Sequence, residues 1–263
     1  MVKFLLIAAA AAAVSTAPAP EAPWDYDACL KKVTRHPDDA FEMAMNALKD
    51  GDEPSAEHCA AVALINLKHF GEAARRLDAL ARKGSAGGAE MRAQLMDQAG
   101  NAWILAGQPE LATASFTAAV ALMPGEALYM IDRARASAML QKWKQAETDL
   151  SSALVAEPGN SEALVLRASA RRAQRNFPGA MGDVTQALAV DPSYPEALVE
   201  RGLLRAALGD KAGARKDFLR VLEISSDPDR KISDSAADAA KSARREIEKL
   251  EVTKEKLKIK VTQ

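Results

Sequence analysis

Apolar and small residues recur along this chain with a spacing of 34 residues. One column of the repeat is large and apolar: Phe116, Leu150, Val184 and Phe218. A second column is alanine: Ala112, Ala146, Ala180 and Ala214. A third column is small: Gly100, Ala134, Ala168 and Gly202. Several columns that keep one spacing over four units predict a repeat array, in which each unit packs only against its neighbours.

Each unit reads as two helices joined by a turn. The small column precedes the alanine column by 12 residues, so small residues on the two helices allow a close antiparallel approach. Proline then ends the second helix of three units, at Pro124, Pro158 and Pro192, because it cannot continue a helix. The pattern therefore predicts four helix–turn–helix hairpins in tandem.

A 34-residue hairpin with this order of small residue, alanine, apolar filler and proline resembles the tetratricopeptide repeat (TPR), and the match extends over residues 93–226. The resemblance implies an all-α fold, a right-handed α-solenoid of tandem TPR-like repeats with a C-terminal capping helix. The four units are bounded at 93–126, 127–160, 161–194 and 195–228. Residues 25–92 fit as degenerate TPR-like hairpins, with a five-residue insertion placed in the loop from Gly84 to Gly88.

Residues 229–253 predict a capping helix, since apolar residues at three-to-four spacing run as far as Leu250 and Asp234 can cap its start. Residues 254–263 alternate lysine with apolar side chains. We expect a flexible tail there, and a strand that pairs with the edge of a partner is the alternative.

The N-terminus predicts export. Lys3 precedes an apolar run from Phe4 to Val14, and small residues around Ala17 suit a signal peptidase, so residues 1–17 are expected to be a cleaved signal peptide. An uncleaved anchor or a buried helix is the alternative. Residues 18–24 form a proline-rich leader. A protein secreted across the inner membrane in this way is expected in the periplasm.

The chain contains two cysteines, Cys29 and Cys59, and in an oxidising compartment an even count favours a disulfide. A metal site that also uses His36 and His58 is the alternative, although the spacing fits no standard zinc pattern.

Composition and motifs exclude several classes of function. Thirty-five basic and 36 acidic residues give a net charge of −1, which argues against a general nucleic-acid binder. Aromatic residues are only 5%, while the 48% of apolar residues is mostly helix formers. No zinc, haem, phosphate-loop or serine-hydrolase motif occurs, so we expect no enzyme activity and no cofactor or metal.

Two charged columns repeat with the same period. Arginines occupy one on the first helices (Arg133, Arg167 and Arg201), and aspartates occupy the other on the second helices (Asp149, Asp183 and Asp217). The 16-residue offset predicts an Arg–Asp ladder inside the array. The alternative is an exposed basic strip that would also include Arg135, Arg171, Arg172 and Arg205.

The TPR resemblance also implies a concave groove, lined by the first helix of each hairpin, that binds a protein or peptide partner. The candidate groove residues are Gln94, Asp97, Asn101, Leu128, Ile131, Arg135, Val165, Ser169, Arg172, Val199 and Leu203. We expect an apolar ligand segment with acidic residues near Arg135 and Arg172. The alternatives are that superhelical winding buries the apolar candidates, or that the C-terminal segment fills the groove.

These features favour a non-enzymatic periplasmic interaction scaffold, plausible in cell-envelope assembly. A structural spacer of an envelope complex and a regulatory arm of an envelope enzyme are the alternatives. No membrane span is expected, and the partner and the oligomeric state stay open.

Overall fold

The computed structural model describes residues 24–51, 53–226 and 233–261. The expected signal peptide (1–17) and all of the leader before Trp24 lie outside the described residues. The described part contains thirteen α-helices: α1 Tyr26–Val33, α2 Pro37–Ala47, α3 Pro54–Asn66, α4 Phe70–Arg82, α5 Ala89–Leu105, α6 Pro109–Leu122, α7 Ala127–Met139, α8 Trp143–Ala156, α9 Ser161–Ala173, α10 Phe177–Val190, α11 Pro195–Ala207, α12 Lys211–Ser225 and α13 Asp234–Val261.

The helices pack pairwise in chain order, α1 with α2 and so on to α11 with α12, and α13 packs against both α11 and α12. This arrangement confirms the all-α, TPR-like array. The single-turn 3₁₀ helix Gly84–Ala86 lies between α4 and α5, where the sequence placed its insertion.

The small and large columns face each other across each hairpin, and their sizes are matched. A Cβ atom on Gly100 would lie 2.5 Å from Cε1 of Phe116, and Gly202 is equally close to Phe218. Alanine occupies the small column in the hairpins whose filler is the smaller Leu150 or Val184. The hairpins therefore approach closely because glycine is used where the opposing side chain is a ring.

The turns within the hairpins repeat as regularly as the core. The second residue after each first helix of the four regular units adopts a positive φ: Gly107 (71°), Gln141 (58°), Arg175 (61°) and Gly209 (90°). The next residue donates its N–H back into the last turn of the helix, as Gln108 N does to Trp103 O at 2.9 Å. This left-handed cap satisfies carbonyl groups at the helix end and reverses the chain.

The Arg–Asp ladder is present, and it links the two helices of three hairpins, α7–α8, α9–α10 and α11–α12. Arg167 donates from Nε to Asp183 Oδ2 at 3.1 Å and from Nη2 to Oδ1 at 2.7 Å, in a two-pronged ion pair. Arg133 with Asp149 and Arg201 with Asp217 have the same geometry. The ladder aspartates are almost fully buried, so each depends on its guanidinium partner.

Cys29 and Cys59 form the predicted disulfide, which joins α1 to α3. The fully buried residues around it are mainly small, while larger side chains such as Phe41 and Met43 pack there only partly buried. The covalent link therefore adds to the stability that packing gives these degenerate hairpins.

The C-terminal helix differs from the sequence prediction at both ends. Ser233 caps its start, since Ser233 Oγ accepts from the Ala236 N–H at 3.2 Å, and Asp234 is the first helical residue. The helix continues to Val261, so the residues expected to form a flexible tail from 254 are helical as far as that residue. Leu257 and Val261 also fall at helical spacing from Leu250, which the alternating lysines obscured.

Candidate functional site

The first helices of successive hairpins, α5, α7, α9 and α11, contact one another directly. The exposed faces of these four helices are here called the concave surface. This is the side on which the sequence places the candidate groove.

The apolar candidates for the groove are largely buried. Ile131 is 2% exposed and Val199 8%, and both belong to the hydrophobic core of the array. Val165 and Leu203 are partly buried and pack against the same core. The expectation of an exposed apolar groove centre is therefore wrong. The physical reason is the direct packing of neighbouring first helices, which encloses these side chains between them.

Three candidates are exposed: Gln94, Asn101 and Leu128. Leu128 is 54% exposed, whereas Leu95, Leu164 and Leu198 on first helices are buried. It occupies the position one repeat before Glu162, whose carboxylate accepts from Arg135 between α7 and α9. By the repeat, Leu128 faces the corresponding space between α5 and α7, beside Asn101.

Both candidate arginines on this surface are already paired. Arg135 donates to Asp132 on its own helix and to Glu162 on α9. Arg172 donates to Glu200 on α11, with Nη2 and Oε2 3.2 Å apart. The expected acidic ligand near Arg135 and Arg172 therefore loses its basis, because their charges are balanced within the array.

The other arginines of the supposed basic strip are paired as well. Arg171 donates to Glu147 of the preceding hairpin at 2.7 Å and to Asp183 at 2.8 Å. Arg205 donates to Asp217 at 2.7 Å. These contacts support the ladder and not a free cationic surface. Ser169, the remaining polar candidate, is partly buried beside Arg172.

Asp97 and Asp132 form a carboxyl pair where α5 meets α7. The two groups lie within hydrogen-bonding reach, and Asp132 is only 3% exposed. Burial, and then the neighbouring Asp132 carboxylate, raise the pKa of Asp97 to about 7. Among the described residues, Asp97 Oδ1 is buried and accepts from no donor group, so the pair is satisfied when one carboxyl carries a proton.

A cavity of about 400 Å³ opens at the N-terminal end of the concave surface. Its floor is apolar and its rim is polar, and the lining residues are Tyr26, Pro54, Ser55, His58, Leu80, Ala86, Met91, Gln94, Leu95 and Gln98. The candidate Gln94 is therefore part of a concave site that the sequence did not reveal.

Hydrogen bonds hold the rim of this cavity in place. The Tyr26 hydroxyl lies 2.7 Å from His58 Nδ1, and His58 Nε2 lies 2.9 Å from Gln98 Oε1. Burial lowers the pKa of His58, which keeps the ring neutral and able to donate from one nitrogen and accept at the other. The chain Tyr26–His58–Gln98 thus fixes α1, α3 and α5 relative to one another.

Sequence reasoning missed the carboxylates that pair with Arg135 and Arg172. A signal was present, since Glu162 follows Arg135 by 27 residues and Glu200 follows Arg172 by 28. Those spacings are one repeat minus about two helical turns, which places the charges on neighbouring first helices. The cavity had no comparable signal, because the insertion between α4 and α5 interrupts the period there.

Within residues 24–51, 53–226 and 233–261, no group of histidine, cysteine, aspartate or glutamate side chains is arranged to hold a metal ion. The same residues include no helix with the length and apolar character needed to cross a bilayer.

Neither a protein-family model nor a curated protein matches the chain. Solved structures do match it. MamA 41-end from Desulfovibrio magneticus RS-1 is 19% identical, with a TM-score of 0.59 over 68% of this chain and 99% of that one. A MamA RS-1 double mutant is also 19% identical, with a TM-score of 0.58 over 69% and 99%. At these identities the similarity establishes the shared fold.

Proposed function

We propose that this protein is a non-enzymatic interaction scaffold of the cell envelope that binds a segment of a partner protein on its concave surface. The observation that carries the proposal is the contrast between positions on that surface. Ile131 and Val199 are buried between first helices, whereas Gln94, Asn101 and Leu128 are exposed. Gln94 also lines the open cavity. Exposed apolar area next to a concave site is typical of a binding surface.

A periplasmic location is part of the proposal. It rests on the expected signal peptide of residues 1–17 and on the Cys29–Cys59 disulfide, which suits an oxidising compartment. Without export, thiol-reducing systems would keep both cysteines reduced.

The test compares two exposed aliphatic residues on opposite sides of the array. Leu128 is on the concave surface, and Val155, 83% exposed, is on the second helix α8. Immobilised Leu128→Asp and Val155→Asp variants are incubated with an envelope extract, and the captured proteins are quantified by mass spectrometry. Circular dichroism checks that both variants fold.

We expect a partner that wild type and Val155→Asp capture equally and that Leu128→Asp loses. A partner set that both variants retain in full would contradict binding on the concave surface, and would favour the structural-spacer alternative.

A further inference from the structure

We propose that the proline-rich leader, residues 18–23, packs into the cavity between α3 and α5 of its own chain and covers it. The contact is made within one molecule and does not depend on the proposed function. A partner segment that binds at the cavity has to displace the leader.

The leader joins the described structure at the wall of the cavity. The indole N–H of Trp24 donates to Ser55 Oγ at 2.8 Å, and Ser55 lines the cavity. Tyr26 lines it as well, and its hydroxyl lies 2.7 Å from His58 Nδ1. These two contacts fix the start of the described chain beside the cavity. Six residues in polyproline II geometry span about 19 Å, which is enough to cross it.

The short connection also gives the leader an advantage over a separate molecule. A segment that is tethered within a few residues of a site is present there at an effective concentration on the order of millimolar. A modest fit between the leader and the cavity is therefore enough for occupancy. A partner segment has to bind more tightly than the leader in order to replace it.

The cavity suits an uncharged segment. Leu80, Met91 and Leu95 give it apolar walls, and its volume is about 400 Å³. Among the described residues that line it, none carries a charge while His58 is neutral, and burial favours the neutral ring by lowering the pKa of His58. A charged side chain inside would lose its hydration and gain no partner of opposite charge.

The leader sequence, Pro-Ala-Pro-Glu-Ala-Pro, has a matching pattern. Three prolines in six residues favour polyproline II geometry, which has three residues per turn. Positions three apart then share an edge, which gives three edges: Pro20 with Pro23, Ala19 with Ala22, and Pro18 with Glu21. Two neighbouring edges are entirely apolar and can face the cavity, while the carboxylate of Glu21 on the third edge stays in water.

Hydrogen bonding at the rim is complementary as well. The three prolines of the leader have no N–H group and keep their carbonyl oxygens, so the segment is rich in acceptors. Gln98 Oε1 lies 2.9 Å from His58 Nε2, and the amide N–H groups of Gln98 take no part in that bond. Gln94 lines the cavity one helical turn earlier on α5. Both amides can donate to carbonyl groups of the leader.

Photocrosslinking within the purified full chain tests the contact. p-Benzoylphenylalanine is placed at Met91 or at Gln94, which are both exposed at the cavity, and in a control at Leu128, which is exposed outside it. Because no lysine or arginine lies between Lys3 and Lys31, trypsin releases the leader in one peptide that ends at Lys31. Fragmentation of the crosslinked peptide from the monomer-mass band then separates attachment at residues 18–23 from attachment at Tyr26.

A pair of leader variants tests the chemistry of the contact. Ala22→Asp places a charge on an edge that faces the cavity, and Ala22→Ser is the matched control of similar size without the charge. We expect crosslinks from Met91 and Gln94 to residues 18–23 and none from Leu128. Ala22→Asp should lower their yield by about five- to tenfold, and Ala22→Ser should leave it unchanged.

Several outcomes would overturn the proposal: attachment that is confined to Tyr26 or absent from both cavity positions, or equal yields for Ala22→Asp and Ala22→Ser. Attachment to residues 18–23 only in a dimer-mass band would also overturn it, because the leader would then come from a second copy. The extract capture with Leu128→Asp and Val155→Asp decides the proposed function separately.

Discussion

Gly100 on α5 lies directly against the ring of Phe116 on α6, so close that a Cβ atom on Gly100 would sit 2.5 Å from Cε1 of that ring. Two hairpins further, Ala168 occupies the same column opposite the smaller Val184. The small column therefore sets how closely the two helices of each hairpin approach.

Gly100→Ala should destabilise the protein by about 1–3 kcal/mol, because the added methyl group overpacks the helix contact. The matched control is Gly182→Ala in α10, where a Cβ meets no atom within 4 Å. There the better helix propensity of alanine should stabilise the protein by about 0.5–1 kcal/mol.

Adding Phe116→Leu to Gly100→Ala recreates the Ala134–Leu150 pairing and should recover part of the lost stability. Denaturant unfolding measures the free energy of unfolding of each variant. Equal changes for Gly100→Ala and Gly182→Ala would show that the small column does not set the distance between the helices.

Replacing Asp183 with alanine should cost about 1–3 kcal/mol, because it removes the acceptor of both Arg167 and Arg171 from a buried site. Asp149→Ala removes the described partner of Arg133 alone, since Ser137 replaces the second arginine there, and should cost less. Thermal melts of both variants give the comparison. Melting temperatures equal to wild type for Asp183→Ala would show that the ladder contributes nothing to stability.

Reduction of the Cys29–Cys59 bond should loosen the N-terminal hairpins and leave the regular repeats intact. The bond spans 30 residues, so its loss should cost about 3–4 kcal/mol in the chain-entropy description. Hydrogen exchange on the Cys29→Ala/Cys59→Ala variant should show faster exchange in α1 to α3 and unchanged exchange in α9 to α12. Uniform acceleration along the array would mean that the repeats unfold as one cooperative unit.

Asp97→Asn should stabilise the protein at pH 8 and should stabilise it less at pH 5. The pKa of Asp97 is raised from 3.8 to about 7, so the native state holds a proton that the unfolded chain releases. The contribution of this proton to stability is present in full below about pH 4 and is lost progressively as the pH rises to about 7. Because Asp97 is partly exposed, solvent screening reduces the gain at pH 8 to about 1–2 kcal/mol. Denaturant unfolding at both pH values measures the change in the free energy of unfolding, with Glu110→Gln on the exposed face of α6 as the control. An equal change at pH 5 and pH 8 would contradict the raised pKa of Asp97.

The sequence predicts the repeat architecture well because the period encodes contacts within hairpins. Gly100 with Phe116 and Arg167 with Asp183 are each 16 residues apart. All four regular units repeat the first of these pairings, and three repeat the second. Contacts between hairpins depend on the winding of the array, which no single column reports. For that reason Ile131 is misplaced as a groove residue, and the partner of Arg172 goes unrecognised.

The sequence pattern does not predict the cavity, and the reason is different. Ala86 of the insertion between α4 and α5 lines the cavity, and so does Tyr26 of the irregular N-terminal hairpin. Both features break the period, so the most distinctive part of the concave surface arises where the repeat is least regular.

The proposed function requires that a partner segment occupies the concave surface of the protein. Site-specific photocrosslinking in producing cells tests it most directly, with p-benzoylphenylalanine placed at Gln94 or Leu128 on the concave surface and at Val155 or Thr117 on second helices. We expect discrete higher-mass adducts from the two concave positions and none from the other two. Adducts confined to Val155 or Thr117 would contradict it.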